Sequence, residues 1–261
     1  MDLRSAALKA LALADPAAKI AAVRALAGDT ALRVDVHAVL AADTPLPGRP
    51  VKPRLVAPQS LPRRSPFTTE GRAALLHAVA HIEFNAINLA LDAIWRFAGL
   101  PEAYYRQWLQ VAAEESLHFS LLAQHLATLG GAYGDFEAHD GLWEMVQRTA
   151  GNATARMALV PRTLEARGLD ATPPMQARLT QAGDHRAGDI LAIILRDEVG
   201  HVAIGNHWYR WLCARDGLDP VVTYDQLARA HGAPRLRGPF NVEARLAAGF
   251  TQVEVDALRE T

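Results

Sequence analysis

Two short stretches of this sequence carry the same pattern of acidic side chains followed by a histidine. Glu115 and His118 stand three residues apart within Glu-Glu-Ser-Leu-His, and Glu198 and His201 repeat that spacing within Asp-Glu-Val-Gly-His. On an α-helix, residues i and i+3 lie on one face, one turn apart. Each pair therefore presents a carboxylate and an imidazole in a common direction, as metal-binding helical bundles do.

Both motifs lie in apolar stripes with helical periodicity. The face of Glu198 and His201 is shared by Leu191, Ile194, Leu195, Val202, Gly205, Trp208, Tyr209 and Leu212. A carboxylate buried on such a face is strongly destabilised unless a partner compensates its charge. Because the pattern occurs twice at one spacing, the sequence predicts a bound pair of metal ions as the common partner.

A four-helix di-metal carboxylate site also needs one glutamate from each of two further helices. Glu83 is the candidate in the first long predicted helix, and the third helix offers Glu144 and Glu165. Spacing favours Glu165, because 32 residues separate Glu83 from Glu115 and 33 separate Glu165 from Glu198. The predicted ligands are Glu83, Glu115, His118, Glu165, Glu198 and His201.

Oxygen and nitrogen ligands of this kind suit iron or manganese, so we expect two Fe ions, or one Mn and one Fe. Glu114 and Asp197 precede the motifs and are predicted to accept a hydrogen bond from the histidine nitrogen that does not bind metal. The alternative is that both acids are exposed or form salt bridges.

Three nearby residues have less certain roles. Pro161 stands one turn before Glu165 and is predicted to kink the third helix, which either aims that carboxylate or only shapes the packing. His77 and His81 point away from the face of Glu83 on an ideal helix, so we predict packing or surface positions. A distorted helix would make His81 a ligand.

Helical periodicity and turn residues predict an all-α protein. Four long helices are expected over about 70–98, 102–130, 142–167 and 184–217, with Gly168 to Pro174 ending the third and a short helix over 175–182. They predict a four-helix bundle at 67–217, preceded by a helical appendage and a Pro-rich strap at 1–66. Short helices at 218–261 are expected to pack on the bundle.

Composition excludes several classes of protein. Half of the residues are hydrophobic, 21% are charged and the net charge is −1, so no overall field favours nucleic acid or anionic membranes. The single cysteine, Cys213, precludes a disulfide framework within the chain and fits a reducing compartment. The Ala-rich N-terminus is a poor signal peptide, and no long apolar run predicts a membrane span. We expect a cytoplasmic protein.

The Pro-rich strap is also basic. It carries Arg49, Lys52, Arg54, Arg63 and Arg64, with no acid after Asp43. It is either a solvated segment or a contact for an anionic ligand or RNA.

The sequence resembles a ferritin-like family called domain of unknown function 455. The stretches that carry the resemblance are Leu-Pro-Arg-Arg-Ser (61–65), Ala-His-Ile-Glu-Phe-Asn-Ala-Ile (80–87), Glu-Glu-Ser-Leu-His-Phe (114–119), Leu-Glu-Ala-Arg-Gly-Leu-Asp (164–170) and Arg-Asp-Glu-Val-Gly-His (196–201). The resemblance implies a ferritin-like bundle with a di-iron centre. Ferritin-like relatives include small-molecule hydroxylases, a tRNA-modifying hydroxylase, N-oxygenases and iron-storage proteins.

Three functions compete at this point. The first is an O₂- or peroxide-activating oxidoreductase that acts on a small-molecule substrate as a monomer or small homo-oligomer. The second is iron handling as a ferroxidase, which requires a large shell that the terminal extensions would obstruct. The third is an RNA-modifying hydroxylase, against which the neutral overall charge weighs.

Overall fold

The computed structural model describes residues 1–62 and 64–260, and Arg63 of the predicted strap lies outside the described residues. Within those ranges the chain forms helices and no β-strand, with two isolated β-bridges. The predicted all-α class is therefore confirmed, and the arrangement as a four-helix bundle stays a prediction. The chain divides into two compact units, Met1–Asp140 and Gly141–Thr261. The predicted three-part division stays a prediction.

The first unit begins with two short helices, α1 (Leu3–Ala12) and α2 (Pro16–Gly28). The Asp15 carboxylate accepts a hydrogen bond from the Ala18 amide, and Pro16 occupies the first helical position, as its fixed φ favours. The appendage predicted for this region is confirmed as helical. Both helices pack on the long helices that follow.

Helix α3 (Thr69–Arg96) and helix α4 (Glu102–Thr128) form an α-helical hairpin that positions the first metal-binding motif. Their connection is short, and Gly99 adopts a φ of +75°, which favours glycine. The Tyr105 hydroxyl closes the turn by donating to the Phe97 carbonyl at 2.8 Å. The short connection thus places the two helices side by side.

A buried arginine of α1 caps the end of α3. Arg4 is 1% exposed, and its guanidinium donates to the carbonyls of Ile94 at 3.2 Å and Trp95 at 2.7 Å. These carbonyls lie in the last turn of α3, where no helical amide reaches them. The same guanidinium also donates to the carbonyls of Asp35, Val36 and Ala38. One side chain thus joins α1, the following loop and α3.

A buried lysine of α2 joins the appendage to α3 in a similar way. The Lys19 ammonium donates to the carbonyls of Leu11 at 3.2 Å and Gly48 at 3.0 Å, and to the side-chain oxygen of Asn88. It lies 5.0 Å from the centre of the Phe84 ring. Burial, reinforced by the charge of Arg49, lowers the pKa of Lys19 to about 7.

The lowered pKa of Lys19 predicts that the protein becomes more stable as pH rises. An unfolded lysine keeps its proton up to about pH 10.4, whereas the folded one releases it near pH 7. The unfolded state therefore binds more protons between these values, and the free energy of unfolding increases with pH across that window. Lys19→Met is expected to flatten this increase in urea titrations at several pH values. Lys9→Met, which removes an exposed lysine of α1, is expected to leave the slope unchanged.

Among the described residues of the Pro-rich strap, Pro58–Ser60 form a 3₁₀ turn. Three of the basic side chains have acidic partners within the same unit: Arg49 pairs with Asp140 at 2.6 Å, Arg54 pairs with Glu137, and Arg64 pairs with Glu70 at 2.6 Å. These contacts neutralise three of the five basic charges that the sequence places in the strap. They favour the structural interpretation of the strap over an anion-binding one.

The second unit begins with α5 (Gly141–Arg148), α6 (Ala153–Leu159), a π-helix (Val160–Glu165) and α7 (Ala166–Gln181). The predicted single helix over 142–167 begins where α5 does, but it is wrong in its continuity and at its C-terminal end. The chain breaks before α6, where the Asn152 side chain caps the new helix. The predicted end at 168–174 and the separate helix over 175–182 are also wrong, because α7 continues through Pro173 and Pro174.

At Pro173, a side chain replaces the hydrogen bond that the proline removes from the helix. A proline at this position frees the carbonyl of Leu169, four residues earlier. The Asn241 side chain donates to that carbonyl at 3.2 Å. The partner lies far along the chain, so the local sequence could not reveal it.

Helix α8 (His185–Arg215) carries the second motif and begins next to the predicted residue 184, where the Asp184 carboxylate accepts from the Ala187 amide. It packs along α7. Three shorter helices follow: α9 (Pro220–Ala230), α10 (Val242–Ala247) and α11 (Gln252–Glu260). The prediction of short C-terminal helices is confirmed.

A close approach between α8 and the π-helix depends on Gly205. A Cβ atom added at Gly205 would lie 2.5 Å from the Cβ of Pro161. Gly205→Ala is therefore expected to lower the free energy of unfolding by about 1–3 kcal/mol through overpacking. Gly200→Ala on the same helix meets nothing within 4 Å and is expected to stabilise by up to about 1 kcal/mol. Equal urea midpoints for the two variants would contradict this packing.

Helix α3 is long and apolar enough to cross a membrane, judged by length and composition alone. However, 78% of its most apolar window is buried inside the protein. That burial is typical of a core helix in a soluble protein.

Candidate metal centre

The first unit brings together three of the predicted ligands. Glu83 of α3 is 3% exposed, and Glu115 and His118 of α4 are fully buried. One potential ligand atom from each of the three lies within 4.8 Å of the others. The His118 Nδ1 atom is 3.1 Å from Glu83 Oε2 and 3.4 Å from Glu115 Oε2. These side chains form a buried group that could hold a metal ion.

The electrostatics of this group are those of a cation site. Burial, together with the charge of Glu115, raises the pKa of the Glu83 carboxyl well above its usual range. Burial alone would lower the pKa of His118, but the hydrogen bonds and charges of Glu115 and Glu83 outweigh it and raise that pKa to about 11. Without a metal, these shifts favour the protonated forms of Glu83 and His118. Carboxylate oxygens and an imidazole nitrogen are ligands that a divalent cation can take in place of those protons.

The second unit carries its own carboxylate–imidazole pair on α8. His201 is fully buried and Glu198 is 8% exposed. The distance between His201 Nδ1 and Glu198 Oε1 is 3.7 Å, so the predicted helical spacing does place both groups on one face. Val202, one residue beyond His201, belongs to a small apolar core that also includes Ala166 and Leu169.

Glu165 ends the π-helix and is 8% exposed, so it is an inward-facing acid as predicted. Pro161 lies in this π-helix, a rare form that is frequent at functional sites, and the predicted kink stays a prediction. Glu144 lies near the start of α5, a different helix from that of Glu165. The assignment of Glu165 as a ligand stays a prediction.

Glu114 and Asp197, the acids that precede the two motifs, each contact a neighbouring residue of their own helix. Glu114 accepts a hydrogen bond from the Gln110 amide at 3.0 Å, and Asp197 binds Arg196 at 2.8 Å. Their predicted hydrogen bonds to the ring nitrogens of His118 and His201 stay predictions.

His77 and His81 are buried and serve packing. His77 Nε2 accepts from the Gly134 amide at 2.9 Å, and its ring stacks on Tyr133. His81 Nδ1 lies 2.9 Å from the Tyr133 hydroxyl, and its Nε2 lies 3.1 Å from the Asn85 amide nitrogen. Burial lowers the pKa of both, to about 4 for His77 and about 3 for His81, so both rings are neutral. The predicted packing role is confirmed.

Sequence reasoning missed a set of buried charged residues around Glu165. Arg162 and Arg245 are 5% and 0% exposed, and each is ion-paired to an acid, Glu254 and Asp170 respectively. Arginine side chains are usually exposed, and the partners are distant in sequence, so no local signal identifies them.

Known proteins are similar to this sequence over most of its length. An uncharacterized protein of Haemophilus influenzae is 56% identical over 218 residues, which cover 81% of this chain and 76% of that protein. No solved structure matches the chain. A family model matches residues 12–256, so this chain belongs to the family described as protein of unknown function (DUF455).

Proposed function

We propose that the chain is a ferritin-like di-metal carboxylate protein that uses O₂ or peroxide to oxidise a small-molecule substrate. The observation that carries the proposal is the buried group of Glu83, Glu115 and His118, in which two carboxylates meet one imidazole in the core of a helical hairpin. Such a group is stabilised by a cation and has no evident purpose in packing alone.

Glu165, Glu198 and His201 are proposed to supply the remaining ligands. The structure supports the pairing of Glu198 with His201 and the inward position of Glu165. The combination of both groups in one centre is supported by the sequence, which repeats the motif at matched separations. Two Fe ions, or one Mn and one Fe, suit this set of oxygen and nitrogen ligands.

The residues of the chain would hold the ions, exchange protons for them and exclude bulk water. Bound redox-active ions supply Lewis acidity and the electrons for oxygen chemistry. Glu83 and His118 would each give up a bound proton to a cation, because a ligating imidazole must be neutral and a ligating carboxylate ionised. The same atoms are then available to accept those protons again if an ion leaves.

Metal affinity is accordingly expected to rise with pH. His118 holds its proton at neutral pH, because its pKa is raised to about 11 in the metal-free protein. Each proton displaced on binding makes the affinity increase about tenfold per pH unit. Competition titrations with Mn²⁺ between about pH 6 and pH 8 measure this slope. An affinity that does not change with pH would show that metal binding displaces no proton from His118, and hence that His118 does not bind metal.

The proposed activity is tested by loading purified protein with Fe²⁺ without oxygen and then following O₂ consumption with an oxygen electrode. We expect about two ions per chain by elemental analysis and O₂ uptake that depends on the loaded iron. A protein that takes up neither iron nor manganese would overturn the proposal. The mass in size-exclusion chromatography separates it from iron storage, because a storage shell is large and the proposed enzyme is a monomer or small homo-oligomer.

The structure weakens the case for RNA modification, because Arg49, Arg54 and Arg64 of the strap are paired with acids. The single cysteine supports a cytoplasmic location, which we include in the proposal.

A further inference from the structure

The C-terminal segment, defined here as residues 240–256, contacts the chain on both sides of Glu165. It contains α10 and the first turns of α11. Phe250 and Val255 of this segment share a buried apolar core with Ala166 and Leu169 of α7 and Val202 of α8. The segment is therefore packed against the two helices that carry Glu198, His201 and the residue after Glu165.

The first contact lies three residues before Glu165. Arg162 of the π-helix donates from Nη2 to Glu254 Oε1 at 2.5 Å and from Nη1 to the side-chain oxygen of Asn206 on α8. Its guanidinium lies 4.6 Å from the centre of the Phe250 ring. Glu254 also binds Arg210 of α8 at 2.8 Å, so one carboxylate joins α11, α8 and the π-helix.

The second contact begins at the residue after Glu165. Arg245 of α10 is fully buried, and its Nη2 donates to the Ala166 carbonyl at 3.3 Å and to Asp170 Oδ2 at 2.5 Å. Its Nε donates to Asp170 Oδ1 at 3.1 Å, which makes the ion pair bidentate. Asn241 adds the hydrogen bond to the Leu169 carbonyl described above.

These contacts lie on both sides of Glu165, at the end of the π-helix. A π-helix is rare, appears mostly as a single turn within α-helices and is frequent at functional sites. Here buried, paired guanidinium groups hold the backbone on either side of one carboxylate, and a bidentate arginine fixes geometry more strictly than an apolar contact does. Partners that orient a ligand in this way typically alter metal affinity when they are removed.

We propose that Glu254 and Arg245 are positioning residues that hold Glu165 in its metal-binding position, and that docking of the C-terminal segment and metal binding favour one another. The inference rests on the proposed function, because it takes Glu165 as a ligand. Coupling of this kind is reciprocal. A bound metal stabilises the docked segment by the same factor by which the docked segment raises metal affinity.

The experiment uses the full-length chain and Mn²⁺ as the probe. Glu254→Gln removes the charge that holds Arg162, and Asp256→Asn on the same helix makes the same charge change at an exposed position. Mn²⁺ binding is followed by the electron paramagnetic resonance signal of the free ion. Hydrogen–deuterium exchange of residues 240–256 is measured with and without Mn²⁺.

In the wild-type protein, Mn²⁺ is expected to slow exchange throughout residues 240–256. Glu254→Gln is expected to weaken binding of the Mn²⁺ ion that Glu165 holds by about 10- to 100-fold, as loss of an orienting partner does. Binding of the other Mn²⁺ ion is expected to change far less. Asp256→Asn is expected to behave as wild type. Arg245→Lys, which keeps the charge but loses the bidentate pair, is expected to have an intermediate effect.

The alternatives are separable. Unchanged exchange on Mn²⁺ binding by the wild-type protein overturns the inference without requiring any variant to fold. Faster exchange in Glu254→Gln with wild-type Mn²⁺ affinity also overturns it, because the segment would then be purely structural. A wild-type protein that binds no Mn²⁺ and no iron instead removes the proposed function itself.

Discussion

Glu115→Ala is expected to weaken metal binding by more than about 100-fold, since even residues that only orient ligands contribute 10- to 100-fold. Glu115 is fully buried beside Glu83 and His118, and its charge helps to raise the pKa of Glu83. Removing it takes away a ligand and also relieves the repulsion between two buried carboxylates. The substitution is therefore expected to change the free energy of unfolding of the metal-free protein much less than it changes the free energy of metal binding.

The two effects are measured separately, by Mn²⁺ titration and by urea unfolding in the presence of a chelator. Glu102→Ala is the matched control, because Glu102 lies on the same helix at an exposed position. It is expected to bind Mn²⁺ as wild type does. Full metal binding by Glu115→Ala would show that the buried group of the first unit is not a metal site.

Arg4→Met is expected to lower the free energy of unfolding by several kcal/mol, because each buried carbonyl that loses its donor costs about 1–3 kcal/mol. The methionine fills much of the volume but leaves the carbonyls of Ile94 and Trp95 at the end of α3 without the donor they have in the native protein. Buried carbonyls without partners are costly.

Arg24→Met provides the comparison, because Arg24 lies on α2 at an exposed position and its hydrogen bond to Ser120 is exposed. It is expected to change the free energy of unfolding by no more than about 0.5 kcal/mol. Similar urea midpoints for the two variants would mean that the contacts of Arg4 contribute little.

Prediction from sequence succeeded where the signal is local. Local residues encode the helical spacing of Glu115 and His118 and the start of α8 near residue 184, and the structure has both. The position of Glu83 next to His118 was also predictable, because a short connection forces α3 and α4 to pack side by side.

Prediction failed where a distant residue changes the local rule. Pro173 and Pro174 are strong signals for a helix end, yet α7 continues because Asn241 satisfies a carbonyl that proline leaves without a donor. The burial of Arg4, Lys19, Arg162 and Arg245 depends in the same way on partners tens of residues away. Hydrophobic periodicity cannot report such pairings, because it treats every charged residue as a surface position.

The burial of α3 on nearly all sides has a consequence for synthesis of the protein. A helix with so apolar a composition emerges from the ribosome before α4 does, and it is then an aggregation-prone segment of nascent chain. Once Asp140 has emerged, however, the exposed chain holds α4 and the two carboxylates and the imidazole of the first unit. Rapid pairing of α3 with α4 would therefore protect the nascent chain from aggregation while the remaining residues are still being added.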